Sequence, residues 1–254
     1  MLFLLKVAVP PILVALMSLA ARRWGPTVGG LLMGLPWMTG PVLFFLGLDK
    51  GGEFAVAASS GIQLGVVCIC AFMLAYSAVS LVAPWPFCLA AATLAFWVVG
   101  WIVQSEPIPL VPAAAAALAA IVATYYLLPR PRAPAAPARL PRWDIPARMG
   151  TTFVLVAVIM SSADRLGPQL SGLVSTYPVI LVVVGCFTHH QWGVDALWRV
   201  QRGLTVSLTN FIAFFLVVGL TLPAVGVVPA FVLAAATALT TSSLLIAFNR
   251  RRAG

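Results

Sequence analysis

Charge is what this sequence has least of. Asp, Glu, Lys and Arg make up 8% of it, against 62% hydrophobic residues. A soluble protein needs a charged shell that this composition cannot supply, so the chain belongs in lipid. Acids are scarcest. Asp49, Glu53, Glu106, Asp144, Asp164 and Asp195 are the whole set, and each stands at a joint between apolar runs. An acid in mid-run is the usual mark of a proton relay, and its absence argues against ordinary proton coupling. Histidine is limited to the adjacent His189 and His190, an interfacial pair without further ligands nearby. Cys68, Cys70, Cys88 and Cys186 all lie inside apolar runs and read as small core residues, not as a disulfide framework or a metal site. No nucleophile–base pairing, Gly-rich phosphate loop or metal-ligand spacing occurs. Neither an enzyme nor a cofactor nor a metal is expected.

What is present is one apolar run after another. Residues 2–21, 26–47, 54–82, a stretch ending near 103, and 108–128 each approach the roughly 20 residues that cross a bilayer. Residues 129–148 interrupt the series with six prolines and Arg130, Arg132, Arg139, Arg142 and Arg148. That segment reads as a stiff, extended linker at the membrane surface, its arginines beside anionic lipid headgroups. Runs 149–163, 168–188, 199–222 and 228–247 follow, nine in all. The net charge of +9 therefore marks a membrane face, not a nucleic-acid partner. With the N-terminus outside, twelve basic residues are cytoplasmic and three (Lys6, Lys50, Arg165) are not. The C-terminus is then cytoplasmic too.

One pattern occurs twice. Gly25-Pro26-Thr27-Val28-Gly29-Gly30-Leu31-Leu32-Met33-Gly34-Leu35-Pro36 matches Gly167-Pro168-Gln169-Leu170-Ser171-Gly172-Leu173-Val174-Ser175-Thr176-Tyr177-Pro178 as G-P-x-x-x-G-L-x-x-x-x-P, 142 residues later. At the same offset Gly51 falls on Gly193, Glu53 on Asp195 and Gly61 on Gly203. After a two-residue slip, Phe87 and 89–93 fall on Phe231 and 233–237. The chain reads as a duplication. Repeat one is residues 1–104, a connecting span is 105–128, the linker is 129–148 and repeat two is 149–254. An odd shift of five spans inverts the second repeat. The expected fold is an all-α polytopic membrane protein of about nine helices: two four-helix inverted-topology repeats plus one connecting helix.

Inverted repeats place a binding site at the bilayer midplane. Pro36 lies ten residues after Pro26, about 15 Å along a helix and half of a roughly 30 Å core; Pro178 does the same after Pro168. Each proline frees a carbonyl one turn earlier, on Leu32 and Val174. Gly34 and Thr39 weaken the first helix further, and Ser175, Thr176 and Tyr177 put hydroxyls at the same level of the second. A kink with glycines for close packing is the competing account of both prolines. Gln63 and Asn210 add amides from neighbouring spans, Asn210 serving either a ligand or an interhelical hydrogen bond. Glu53 and Asp195, with Arg199 four residues on, are either matched gates or solvated acids at helix starts.

Gly172-Leu173, Pro178 and Gly193-Val194-Asp195-Ala196-Leu197 resemble the GlpM-like family of small bacterial inner-membrane proteins. Those proteins are about one repeat long, so the chain looks like two fused, opposed copies. The first copy keeps Gly30-Leu31, Pro36 and Gly51 but departs at 52–55. The resemblance implies a bacterial cytoplasmic membrane and a loose association with exopolysaccharide production or glycerol metabolism. The function expected is a transporter or facilitator of a small neutral or weakly anionic solute. The alternatives are a non-transporting subunit supporting envelope polysaccharide or lipid metabolism, or a lipid-carrier flippase, which a hydrophobic cavity opening sideways to lipid would favour.

Overall fold

The computed structural model describes residues 2–37, 39–103, 108–132, 141, 143–163 and 177–253, and every regular element among them is an α-helix. Four helices are long and apolar enough to cross a membrane: Gly52–Val79, Trp85–Val103, Leu110–Leu127 and Val179–Val225. In chain order the helices are α1 (Leu2–Trp24), α2 (Pro26–Met33), α3 (Thr39–Lys50), α4 (Gly52–Val79), α5 (Trp85–Val103), α6 (Leu110–Leu127), α7 (Asp144–Ala163), α8 (Val179–Val225) and α9 (Val227–Ala253).

The run at 26–47 is two helices, α2 and α3, and the interruption falls where Gly34 and Pro36 come together, although α1 continues through Pro10 and Pro11. The runs at 168–188 and 199–222 meet in one element. α8 has 47 residues, which at about 1.5 Å each would reach some 70 Å if straight, over twice a bilayer core. It turns at Gly193, whose φ of 79° and ψ of −179° only glycine adopts without strain. A first arm (179–192) and a second (194–225) result, and the sequence's ten-residue joint shrinks to one residue. Gly51, between α3 and α4, has the same conformation, φ 89° and ψ 169°.

The second arm of α8 is the centre of the bundle. α4 runs antiparallel along one side of it. Trp198 Nε1 donates to Ser80 Oγ (3.2 Å), Ser77 Oγ to Gln201 Oε1, and Gln63 Nε2 to the Ile212 carbonyl (3.0 Å). Gly52 reaches Leu222 at the far end of the same contact. Thus Gly51 and Gly193 mark opposite ends of the bundle. α2 lies against another side of the arm, running parallel to it. A Cβ built on Gly30 would stand 2.0 Å from the Val200 carbonyl oxygen, and one on Gly203 would stand 2.2 Å from that of Thr27. Backbones this close need glycine on both helices, the usual currency of membrane helix packing.

The core has two main parts. Phe72, Tyr76, Phe96 and Leu197 join α4, α5 and α8; Leu43, Phe215, Val218 and Phe231 join α3, α8 and α9. The outer surface is apolar as well: Val82 is 88% exposed, Leu239 70% and Phe45 64%. In water such a surface would aggregate; facing acyl chains it is the ordinary state.

Candidate functional site

The break between α2 and α3 is the part of the expected site that the structure describes most fully. Gly34 ends α2, Pro36 is half-buried, and Thr39 is the first residue of α3. Leu32 O, which Pro36 deprives of a helical partner, is not left open. It accepts Trp37 Nε1 at 2.9 Å and the Leu35 N–H at 3.4 Å. Leu35 O takes the Trp37 N–H (2.8 Å) and Pro36 O the Gly40 N–H (3.0 Å). The polar groups offered to the break come from α8. A Cβ on Gly34 would touch Ser207 at 2.5 Å, and one on Gly40 would meet the Phe214 ring at 3.6 Å. Asn210 lies between Ser207 and Phe214 on the same face of α8, so the break brackets it. It is 3% exposed.

Gln63 is brought elsewhere. It is fully buried and bonds to α8 through the Ile212 carbonyl. The residues that meet α4 (Trp198, Gln201, Thr205 and Ile212) form a different face of α8 from Val200, Gly203 and Ser207, which meet α2. The two amides therefore serve different sides of one helix. Among the described residues Gln63 Oε1 has no hydrogen-bond partner, and its orientation is fixed because Nε2 must face a carbonyl.

In the second half, Ser175 and Thr176 lie outside the described residues. Tyr177 and Pro178 precede α8, Pro178 at the cap position. The Tyr177 hydroxyl shares a hydrogen bond with Thr93 Oγ1 (2.8 Å), and its ring stands edge-on to Phe96 with centroids 5.3 Å apart. Glu53 is exposed in the first turn of α4. Asp195 and Arg199 are half-buried on α8, and Asp195 accepts the backbone N–H of Arg132. Arg130 and Arg132 flank the end of α6, while Arg139 and Arg142 fall outside the described residues.

Sequence reasoning missed a charged cluster at the Gly193 end. Asp144, read as a linker residue, begins α7 and is fully buried. Arg148, read as facing headgroups, lies one turn into α7 at 2% exposure. Its Nε sits 3.0 Å from both Asp144 carboxylate oxygens, its Nη2 donates to Gln191 Oε1 (3.0 Å), and its guanidinium stacks over Phe187. Arg22, from the end of α1, and Gln191 Nε2 also donate to Asp144. Burial alone would raise the Asp144 pKa. The donors on Gln191 and Arg22 and the charge of Arg148 outweigh burial and leave it below the ordinary value. Burial pulls Arg148 downward against the support of Asp144. The four-residue spacing of Asp144 and Arg148 was the one signal available.

Beside the break a groove of about 440 Å³ opens on the outer surface between α3, α8 and α9, walled by Pro36, Gly40, Phe44, Phe214, Phe231 and Ala235. Its lining is apolar. Among the described residues, no group of three or more His, Cys, Asp or Glu stands close enough to hold a metal ion.

Comparison with protein-family models, with curated proteins and with solved structures finds no match to this chain.

Proposed function

We propose that this chain is a membrane transporter or facilitator of a small neutral or weakly anionic solute, built from two inverted repeats fused through α6. The observation that carries the reading is the break at Gly34–Trp37, set against buried Ser207 and Asn210 in the middle of an apolar bundle. Interrupted helices facing polar side chains at mid-depth are how secondary transporters house a solute. Because the Leu32, Leu35 and Pro36 carbonyls are satisfied within the segment, the solute contacts fall to the two side chains.

Three features support the inverted repeat. The 142-residue offset carries Gly51 onto Gly193, and both take the same left-handed joint. It carries α4 onto the second arm of α8, and these run antiparallel with their glycine joints at opposite ends. It carries α1 onto α7, and the end of α1 meets the start of α7 through Arg22 and Asp144. The described arginines gather at the Gly193 end and Lys50 lies at the other, which fits a cytoplasmic Gly193 end in a bacterial inner membrane. The short motif shared with the GlpM-like family fits the same location.

Asn210→Leu in proteoliposomes tests the site. Solute flux should fall while thermal stability and expression hold. Unchanged flux with stability lowered by up to about 1–2 kcal/mol would reduce Asn210 to a helix tie and remove the assignment. The apolar groove favours one second reading, transport of a lipid or lipid-linked carrier. Flipping of a fluorescent phospholipid by the parent protein, lost on Gly40→Phe, would support it over the solute.

A further inference from the structure

The charged cluster has a division of labour that its burial reveals. Asp144, Arg148 and Gln191 hold one another, and the Asp144 and Arg148 side chains are 0% and 3% exposed. Arg22 is the fourth member and differs in two ways. It comes from α1 while the others come from α7 and α8, and its side chain is 26% exposed. Removing Arg22 leaves Asp144 still bonded to Arg148 and Gln191, a neutral and satisfied pair. Removing Asp144 or Arg148 strands the other's buried charge, and removing Gln191 takes a hydrogen bond from each of them.

Beneath the cluster lies a plug of buried valines, Val14 on α1 against Val183, Val184 and Val200 on α8. At this end Arg22 ties α1 to the cluster on α7 and α8. An apolar closure would hold by burial and would resist wetting on opening. An ion pair behaves otherwise, because its Coulomb gain and its desolvation cost nearly cancel. Arg22 regains hydration as it loses Asp144, so the closed and open forms stay close in free energy, as a gate requires.

We infer that Arg22 is a releasable latch and the Asp144–Arg148–Gln191 set its fixed catch, together closing the Gly193 end of the bundle over the valine plug. The inference rests on the transport reading for its purpose, and its test does not need a solute. It also moves the gate at this end from Asp195 and Arg199 to Arg22.

The experiment uses the full chain with its four cysteines replaced and one cysteine introduced by Val183→Cys, reconstituted and exposed to a membrane-impermeant maleimide. With Arg22 present the cysteine should label slowly. Arg22→Gln should accelerate labelling severalfold, and Arg22→Lys should restore most of the protection. A second reporter, Val218→Cys, sits buried toward the opposite end of α8 and should label at an unchanged rate. Unchanged labelling at 183 in Arg22→Gln overturns the latch. Acceleration at both 183 and 218 overturns it too, since that is a loosened fold and not a gate. Faster labelling at 183 alone, in a protein that carries no solute, keeps the latch and removes the transport reading. Flux with no change at 183 does the reverse.

Discussion

Gly30→Ala is the sharpest test of the packing. The added methyl would sit 2.0 Å from Val200 O, 2.8 Å from Val200 C and 2.9 Å from Leu204 N, all backbone atoms of α8 that cannot rotate away. Ordinary contact begins near 3.4 Å, so α2 and α8 must separate by more than 1 Å along their closest line. Overpacking of this kind costs about 1–3 kcal/mol or more, and a clash with backbone belongs at the top of that range. Against it stands the helix propensity of alanine, worth roughly 1 kcal/mol over glycine. The net loss should be about 2 kcal/mol. Gly150→Ala is the control: it adds its methyl to an exposed position on α7 with nothing within 4 Å and should be neutral or slightly stabilising. Thermal unfolding of the two variants in one detergent, followed by size-exclusion chromatography, reads the difference. Because Gly203→Ala opens the same seam, the double variant should lose less than the sum of the two. If Gly30→Ala unfolds at the same temperature as Gly150→Ala, the close approach of α2 and α8 is wrong.

Acid should weaken the α1–α7–α8 junction. A carboxyl held below its ordinary value of 3.8 gives stability that is present above that pH and lost as the pH falls through the folded-state pKa. The thermal midpoint of the parent should therefore drop on acidification below about pH 4. Asp144→Asn should be less stable at pH 7, by about 3–5 kcal/mol for a stranded Arg148, and should lose less on further acidification. Equal pH slopes in the two proteins would refute this account of Asp144. Cysteines introduced by Arg130→Cys and Lys50→Cys should label from opposite sides of an oriented vesicle, position 130 from the cytoplasmic side. Labelling from one side would end the inverted-repeat reading.

The apolar run at 54–82, the stretch ending near 103 and the run at 108–128 were legible because hydropathy reports length directly, and α4, α5 and α6 follow them closely. The interruption at Pro36 was legible because Gly34 weakens the helix beside the proline, whereas α1 continues through Pro10 and Pro11. What the sequence did not show was which face of a helix turns inward. Gln63 and Asn210 both looked like site amides, yet α8 separates them, and a uniformly apolar helix gives no periodic clue to its faces. Asp144 failed for a different reason. Its partners Arg22 and Gln191 are 122 and 47 residues away, so local sequence shows an acid in a Pro/Arg linker and nothing of its burial. The joint before 199 was drawn too long because the polar residues between 189 and 199 interrupt the apolar runs. In the fold they are helical residues on either side of a single glycine.

The self-closure of the break bears on how the chain enters a membrane. Nascent segments leave the insertion machinery before their neighbours exist, and a helix with bare carbonyls would pay for each one in hydrocarbon. Residues 26–50 carry their own remedy. Trp37 supplies both its ring N–H and its backbone N–H within the segment, and Gly40 supplies a third donor. A span closed in this way has its bend satisfied before Ser207 and Asn210, which follow far later in the chain, are there to meet it. Trp37 thus closes the bend from within its own segment, and α8 has only to dock against it.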